Sequence, residues 1–201
     1  FLLSTNTNIN ELIKQSKIFN VKNLIVTDYN KYLILKKKIR NKKIKIYDSF
    51  SLVHKILNRH KVYYTMNAIS GIDGLKPTLK IIRFSKKIAI ANKESIICGW
   101  NLIKKELKKH KTDFIPVDSE HFSIWSLINK NTNKNIEKVF ITASGGPFNN
   151  YPLKKFQTIN PKKALNHPNW RMGKKISIDS ATMMNKVFEV IEAKKIFDLE
   201  Y

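Results

Sequence analysis

The sequence predicts an α/β fold built on a doubly wound, mostly parallel sheet. Short apolar, β-branched runs alternate with longer stretches of helical periodicity, the pattern of βαβ units. At 42% hydrophobic over 201 residues the chain can bury a real core, and no internal repeat or coiled-coil pattern points elsewhere. Small, polar and charged residues collect just beyond the apolar runs, where open parallel sheets bind their ligands.

The elements follow in order. "FLLS" opens as a strand, "NLIVTD" (23–28) is a second, and the helical "YNKYLILKKKIR" follows it. "KIKIYD" (43–48) is a strand, and "SFSLVHKILNRH" a helix capped by Ser49 or Ser51. "KVYYTMNAIS" (61–70) is a strand running into a turn, and "GIDGLKPTLKIIRFS" a helix in which Pro77 marks a kink or the first turn. "KKIAIANKES" is a strand ending at Asn92, before the helix "ESIICGWNLIKKELKKH". "DFIPVDSEH" and "FSIWSLINK" repeat the strand–helix pair, and "NKNTNKNIEK" (129–138) is the most linker-like segment. "KVFITASGG" (138–146) alternates as a strand. Residues Ser144 to Lys174 then form a long irregular stretch with one helical piece near "NPKKALN", a length that points to a functional loop. "KKISIDS" reads as a strand, and "SATMMNKVFEVIEAKKIF" (180–197) as a strong helix.

Composition narrows the classes. The net charge of +23 invites a nucleic-acid partner, but 34 of the 38 basic residues are Lys and 4 are Arg, whereas nucleic-acid surfaces draw on Arg. Richness in Lys, Ile and Asn fits an A+T-rich coding sequence, and runs such as "NLIKKELKKH" (101–110) read as solvated helix faces. No nucleic-acid partner is expected. One cysteine, Cys98, excludes an intrachain disulfide and fits a reducing compartment. No apolar run approaches the roughly 18 residues of a membrane span, so no membrane partner is expected.

Five expected strand ends, "NAISG", "ANKES", "VDSEH", "SGGPF" and "IDSAT", are all polar, small or charged. Each alone could be an ordinary turn or cap; together they favour a site. In extended geometry Asp118 and Glu120 point to one side with Ser119 turned away, so both reach one ion. Carboxylates suit Mg²⁺ or Mn²⁺, and no Cys/His cluster suggests zinc. His121 reads as a structural hydrogen-bond partner rather than a ligand. In the helix from Ser180, Met184, Val187, Phe188 and Ile191 form one apolar face, and Thr182, Asn185, Lys186 and Glu189 the opposite stripe. Lys186 and Glu189 could be an ordinary surface pair. With Ser180 as N-cap, the helix start, Asn185 and Lys186 would instead offer an anion site, leaving Glu189 to face a metal.

"ANKES", "PVDSEH", "SGGPF", "HPNWRMGKKISIDSATMMNK" and "EVIEA" resemble, in order and spacing, the signature blocks of the 1-deoxy-D-xylulose 5-phosphate reductoisomerase family, over essentially the whole chain. The resemblance implies conversion of 1-deoxy-D-xylulose 5-phosphate to 2-C-methyl-D-erythritol 4-phosphate in non-mevalonate isoprenoid biosynthesis, with NADPH and Mn²⁺ or Mg²⁺ (Co²⁺ a third candidate) and a homodimeric full-length enzyme. It implies Asp118, Glu120 and Glu189 as metal ligands and, with Lys93, as catalytic residues. It implies Lys93, Ser119 and Glu120 at the substrate near the metal, and Ser144, Ser180, Asn185 and Lys186 at its phosphate. His167, Trp170 and Met172 fall on a lid closing over the substrate. Asn92, Glu94 and Gly173 lie near the nicotinamide, and Asn6, Thr7 and Asn8 face the adenosine 2′-phosphate, with Thr7 where the family has a basic residue. The family's glycine-rich GxTGxxG turn does not occur in this sequence, and Val187 stands where a glycine usually follows Asn-Lys.

An interior fragment is therefore expected. Residues 1–120 would be part of a Rossmann-like NADPH domain lacking its first strand and glycine-rich turn. Residues 121–201 would start an α+β catalytic domain with the lid at 144–174. A bacterial cytoplasm and a plastid or apicoplast both fit the composition. The competing readings are a basic nucleic-acid-binding module and an inactive scaffold fragment.

Overall fold

A computed structural model describes residues 1–57, 61–128, 136–143 and 145–199. Most of the linker-like segment, Ser144, and the end of the helix expected at 49–60 lie outside the described residues.

The first half is a run of βαβ units. β1 (Leu2–Thr5) leads to α1 (Ile9–Ile18), whose first turn is capped by the Asn8 side chain accepting from the Glu11 N–H. β2 (Asn23–Val26) leads to α2 (Tyr29–Lys38), capped in the same way by Asp28 accepting from Lys31 N–H at 2.8 Å. β3 (Lys45–Tyr47) is followed by a 3₁₀ turn and the short α3 (Val53–Leu57). β4 (Val62–Asn67), α4 (Leu75–Ile81), β5 (Ser85–Ile90), α5 (Lys93–His110), β6 (Asp113–Pro116) and α6 (Ser119–Leu127) continue the alternation. Pro77 sits in the first turn of α4, where its missing N–H leaves no intrahelical bond unmade.

All strand pairs are parallel. Hydrogen bonding divides them into two sheets, β1-β2-β3 and β4-β5-β6, with registers such as Leu3↔Leu24 and Ile88↔Phe114. Ile25, Val53, Ile56, Leu57 and Phe84 form one buried cluster that joins the sheets through Leu2 on one side and Val62 on the other. A second core, built on Ile88, Ile90, Ile96, Trp100 and Ile103, packs α5 onto the β4-β5-β6 sheet. The three C-terminal strand ends of that sheet, at Asn67, Ile90 and Pro116, therefore point to one edge. No helix among the described residues is long and apolar enough to cross a membrane.

The C-terminal third departs from the sequence expectations in three places. Residues 138–143 form no strand: Val139 and Ile141 pack on Ile124, Ala193 and Phe197, but no described strand lies beside them to complete a ladder. Residues 174–180 form a helix, α8 (Lys174–Ala181), which buries Ser177 and follows the short α7 (Pro161–Leu165). The alternating Ile176 and Ile178 mimic a strand but have no partner edge among the described residues.

The helix expected over 180–197 is broken. Thr182 N–H and Oγ1–H both donate to the Ile178 carbonyl, closing α8, and Met183 turns left-handed at φ 61°. α9 (Met184–Phe197) starts after that break, so Ser180 ends one helix instead of capping the next. Of the five strand ends expected, residues 145–148 of "SGGPF" lead into a turn, and "IDSAT" is a helix end. In α9 the buried positions are Glu189, Glu192, Ala193 and Phe197, while Met184, Val187 and Val190 are exposed. The polar stripe faces α5 and α6 because ion pairs hold it there.

Ile25 is fully buried at the joint between the sheets. Ile25→Ala should cost about 3 kcal/mol of stability, the usual size for deleting a buried aliphatic side chain, in urea unfolding. A loss below about 1 kcal/mol would mean that the joint is loosely packed.

Candidate active site

Three elements converge beyond the β4-β5-β6 sheet. Lys93 is the first residue of α5, after the strand end at Ile90. Asp118 occupies the cap position of α6 with extended backbone, and Ser119 and Glu120 begin that helix. Asp118 and Glu120 therefore converge across a helix start and not by strand alternation. Asn185, Lys186 and Glu189 come from the first turns of α9.

Asp118, Glu120 and Glu189 each offer a carboxylate oxygen, all within 4.8 Å of one another. Two ammonium groups lie among them. Lys93 Nζ is 3.0 Å from Asp118, 3.5 Å from Glu189 and 2.7 Å from the Asn185 amide oxygen. Lys186 Nζ is 3.2 Å from Glu120 and also contacts Glu189 and the Thr142 carbonyl. The Asn185 amide donates to Glu189, and Ser119 Oγ donates to Glu120 at 2.7 Å. Glu189 is 2% exposed, so these cations neutralise a charge that burial would otherwise penalise by several kcal/mol.

The electrostatics split the carboxylates. Burial raises the Asp118 pKa, helped by its hydrogen bond to Glu120 and opposed by Lys93. Burial also acts to raise Glu120, but hydrogen bonds from Asp118, Ser119, its own backbone N–H and Lys186 outweigh it and hold Glu120 at about 2. Burial lowers the pKa of Lys93, and Asp118 and Glu189 more than reverse that, keeping the ammonium charged. Three hard oxygen donors with matched positive charge between them are the donor set of a Mg²⁺ or Mn²⁺ site, so the residues fit a divalent cation.

Behind this group lies a second one. His121 is fully buried, and its Nε2–H donates to the Glu189 carbonyl at 2.8 Å. Its Nδ1 faces Glu192 Oε2 at 3.5 Å and Asp118 Oδ1 at 3.8 Å. Glu192 is pushed up to about 8, first by burial and then by Asp118, with Lys93 opposing. The available signal for Glu192 was its place one turn after Glu189 in "EVIEA", on the same helix face.

The remaining expected residues are more dispersed. Asn92 is buried: its amide N–H groups donate to the Gly71 carbonyl at 2.6 Å and to that of Ile69, while its Oδ1 caps α5 at Ser95. Glu94 is bound by Lys175, which also bridges to Asp179 at 2.7 Å. Gly173 precedes α8 with open space around it. Asn6 lies at the end of β1, donates to Thr27 Oγ1, and lines a cleft of about 1160 Å³ with Ser4, Thr5, Asp48, Ser70 and Asp73. Thr7 and Asn8 continue from it into α1. His167 Nδ1 accepts N–H bonds from Asn169 and Trp170, at 3.2 and 3.1 Å, which folds a tight turn. Trp170 is 60% exposed and Met172 half-buried. Ser180 lies beside Gly146, where a Cβ would come within 2.9 Å of the Ser180 carbonyl oxygen, so a glycine lets the two segments meet. Ser144 lies outside the described residues.

Family models of the 1-deoxy-D-xylulose 5-phosphate reductoisomerase match residues 1–99, and of its C-terminal domain residues 114–197. The chain belongs to the 1-deoxy-D-xylulose 5-phosphate reductoisomerase family. It is 67% identical over all 201 residues to the reductoisomerase of Pelagibacter ubique (strain HTCC1062) and 41% identical to that of Clostridium kluyveri, covering 52% of each. The chain spans about half the length of the curated relatives it matches. Among solved structures, the reductoisomerase from Zymomonas mobilis in complex with NADPH superposes with a TM-score of 0.87 at 36% identity, over all of this chain and 51% of that one. A reductoisomerase in complex with NADPH, fosmidomycin and magnesium also gives 0.87, at 34% identity, over 99% of this chain and 52% of that one.

Glu192 yields a pH prediction. Its folded pKa lies above the ordinary carboxylate value, so the folded state holds a proton that the unfolded state releases between about pH 4.5 and 8. Stability from this group is complete below that window and is lost as pH rises through it. Asp118, Glu189, Glu94, Lys93 and His121 face the same carboxyl and are present in both proteins, so the comparison is with Glu192→Gln. The variant's stability relative to wild type should climb from pH 5 to pH 8, by up to about 1.4 kcal/mol per unit. A flat difference would mean that Glu192 is ionised in the fold.

Proposed function

We propose that this chain carries the metal-binding and substrate-binding core of a reductoisomerase that converts 1-deoxy-D-xylulose 5-phosphate to 2-C-methyl-D-erythritol 4-phosphate with NADPH. The observation that supports it most is the meeting of Asp118, Glu120 and Glu189 around two lysines at the strand ends of a parallel sheet. The solved relative that binds NADPH, the substrate analogue fosmidomycin and magnesium points to the same ligand classes.

Asp118, Glu120 and Glu189 would hold Mg²⁺ or Mn²⁺. When bound, that ion polarises the substrate carbonyl and hydroxyl oxygens without needing an acid of matched pKa. The carboxylates then have a cation of their own, and the two ammonium groups are free to turn to the substrate. Lys93 is the donor toward an oxygen near the metal, because its proton is held firmly. Ser119, next to Glu120, hydrogen-bonds a substrate hydroxyl. Lys186 and Asn185, with Ser180 and Ser144, bind the phosphate, whose remote binding energy draws the lid closed. His167, Trp170 and Met172 on that lid exclude water from the reacting centre. Asn6, Thr7 and Asn8 and the cleft beside them would take the adenosine end of NADPH, with Glu94 and Gly173 near its nicotinamide. Asn92 serves there by fixing the turn at Ile69–Gly71, since its side chain is fully engaged.

The division into a cofactor part to about residue 120 and the start of a catalytic part is supported by the change from βαβ units to helices that, among the described residues, pack without strands. A homodimer in the full-length enzyme is supported by exposed Phe122, Trp125, Leu127 and Phe140. Bacterial relatives support a bacterial cytoplasm.

Glu189→Gln in the full-length enzyme should abolish NADPH oxidation driven by 1-deoxy-D-xylulose 5-phosphate and weaken Mn²⁺ binding in calorimetry, with the fold kept. Unchanged metal affinity would remove Glu189 from the site.

The lid gives a second test. From Gly145 to Gly173, Ala164 alone is buried, so this segment has little apolar contact to hold it rigid. Its amides should exchange quickly in the free enzyme and slow on adding substrate or a phosphonate analogue, and Trp170→Ala should lose kcat as well as affinity. Equal exchange in both states would mean a static loop.

A further inference from the structure

His121 and Glu192 form a buried pair for which neither the metal ligands nor the substrate contacts have a use. His121 is 0% exposed and Glu192 2% exposed. The Glu189 carbonyl can only accept, so the 2.8 Å contact fixes the proton on His121 Nε2. Nδ1 then points at Glu192 Oε2, 3.5 Å away, and neither atom has a hydrogen-bond partner among the described residues. Two buried polar atoms left bare would each cost about 1–3 kcal/mol, so their facing one another across this short gap is what makes the arrangement tolerable.

The placement of the two residues gives the pair a purpose. His121 sits one residue after Glu120 and three after Asp118, on α6. Its two ring nitrogens reach α9 at two points one turn apart, the backbone of Glu189 and the side chain of Glu192. A planar ring bonded to α9 at one nitrogen and seated against Glu192 at the other has little room to swing, so it sets the distance and rotation between the helix that carries Asp118 and Glu120 and the helix that carries Glu189. A buried His–Glu pair is a poor choice for stability, because two apolar side chains of like volume would fill the space at less cost. Its presence is explained by orientation.

We propose that Glu192 is a positioning residue that acts through His121 to aim Glu189 at the cation held with Asp118 and Glu120. The inference rests on the metal-site reading above and adds the group that orients its ligand. Outer-shell groups that orient metal ligands have this effect in general, and their loss costs about 10- to 100-fold in metal affinity or activity.

The test titrates Mn²⁺ by calorimetry into wild type, Glu192→Gln and Glu192→Leu, with thermal melts of each metal-free protein. Gln fills the same space and keeps an N–H donor for Nδ1; Leu fills it and has none. The expected result is wild-type-like affinity in Glu192→Gln, a loss of about tenfold or more in Glu192→Leu, and a cooperative metal-free melt in both variants, which shows that the loss is not one of fold. If Glu192→Leu does not fold, His121→Gln replaces it, since that side chain keeps the donor to Glu189 and removes the link to Glu192; the same loss is expected. Where both fold, the double variant should lose no more than either single one.

Wild-type affinity in Glu192→Leu, or equal losses in the Gln and Leu variants, would overturn this inference alone. Two Mn²⁺ ions per chain would also overturn it, because Asp118, His121 and Glu192 are close enough to hold one themselves. A wild-type protein that takes up no Mn²⁺ would overturn the metal site and this inference together.

Discussion

Burying Glu189 is the constraint around which the C-terminal half is arranged. A carboxylate at 2% exposure, with Asp118 and Glu120 within ligand reach, needs positive charge close by. Lys93 and Lys186 supply it from two directions, one from the start of α5 and the other from α9 itself. The cations dictate which face of α9 turns inward. They also bring together helix starts that are far apart in sequence, since Lys93 and Glu189 are ion-paired across the whole second half of the chain.

The parallel sheet makes this convergence possible. β5 and β6 lie side by side and end at Ile90 and Pro116, so the turns after them deliver Lys93 and Asp118 to the same edge. Side chains of Asn67 and Asn92 stiffen that edge by tying neighbouring turns together: Asn67 bonds Gly74 and Thr78, and Asn92 bonds Ile69 and Gly71. From the other side, Lys175 at the start of α8 reaches both Glu94 and Asp179, which anchors the start of α8 to α5. An exposed ion pair of this kind contributes little to stability, so its effect is on where α8 sits.

The α/β alternation through residue 127 was legible because apolar runs of strand length and amphipathic stretches of helix length differ in period, and each pairs within the chain. Asp118, Glu120 and Glu189 were legible as one metal-suited group from residue type and spacing. The reason given for Asp118 and Glu120 was wrong in detail, since a helix start and not an extended strand aims them. The expectations failed where local pattern depends on what lies alongside. Val139 and Ile141 alternate like a strand but have no described strand to pair with, and Ile176 and Ile178 do the same within a helix. The apolar stripe of α9 failed for another reason: hydrophobic periodicity assigns Met184 and Val187 to the core, whereas the ion pairs of Lys186 and Glu189 turn that stripe outward. A buried polar pair such as His121 and Glu192 has no periodic signal, because its partners lie on different elements.

Anomalous diffraction at the manganese edge, from crystals of the full-length enzyme soaked in Mn²⁺, tests the central claim most directly. The account predicts one peak per chain, about 2.0–2.3 Å from oxygens of Asp118, Glu120 and Glu189, with Lys93 Nζ moved away from Asp118. No peak among those three carboxylates, or a peak on Asp118, His121 and Glu192 instead, would contradict it.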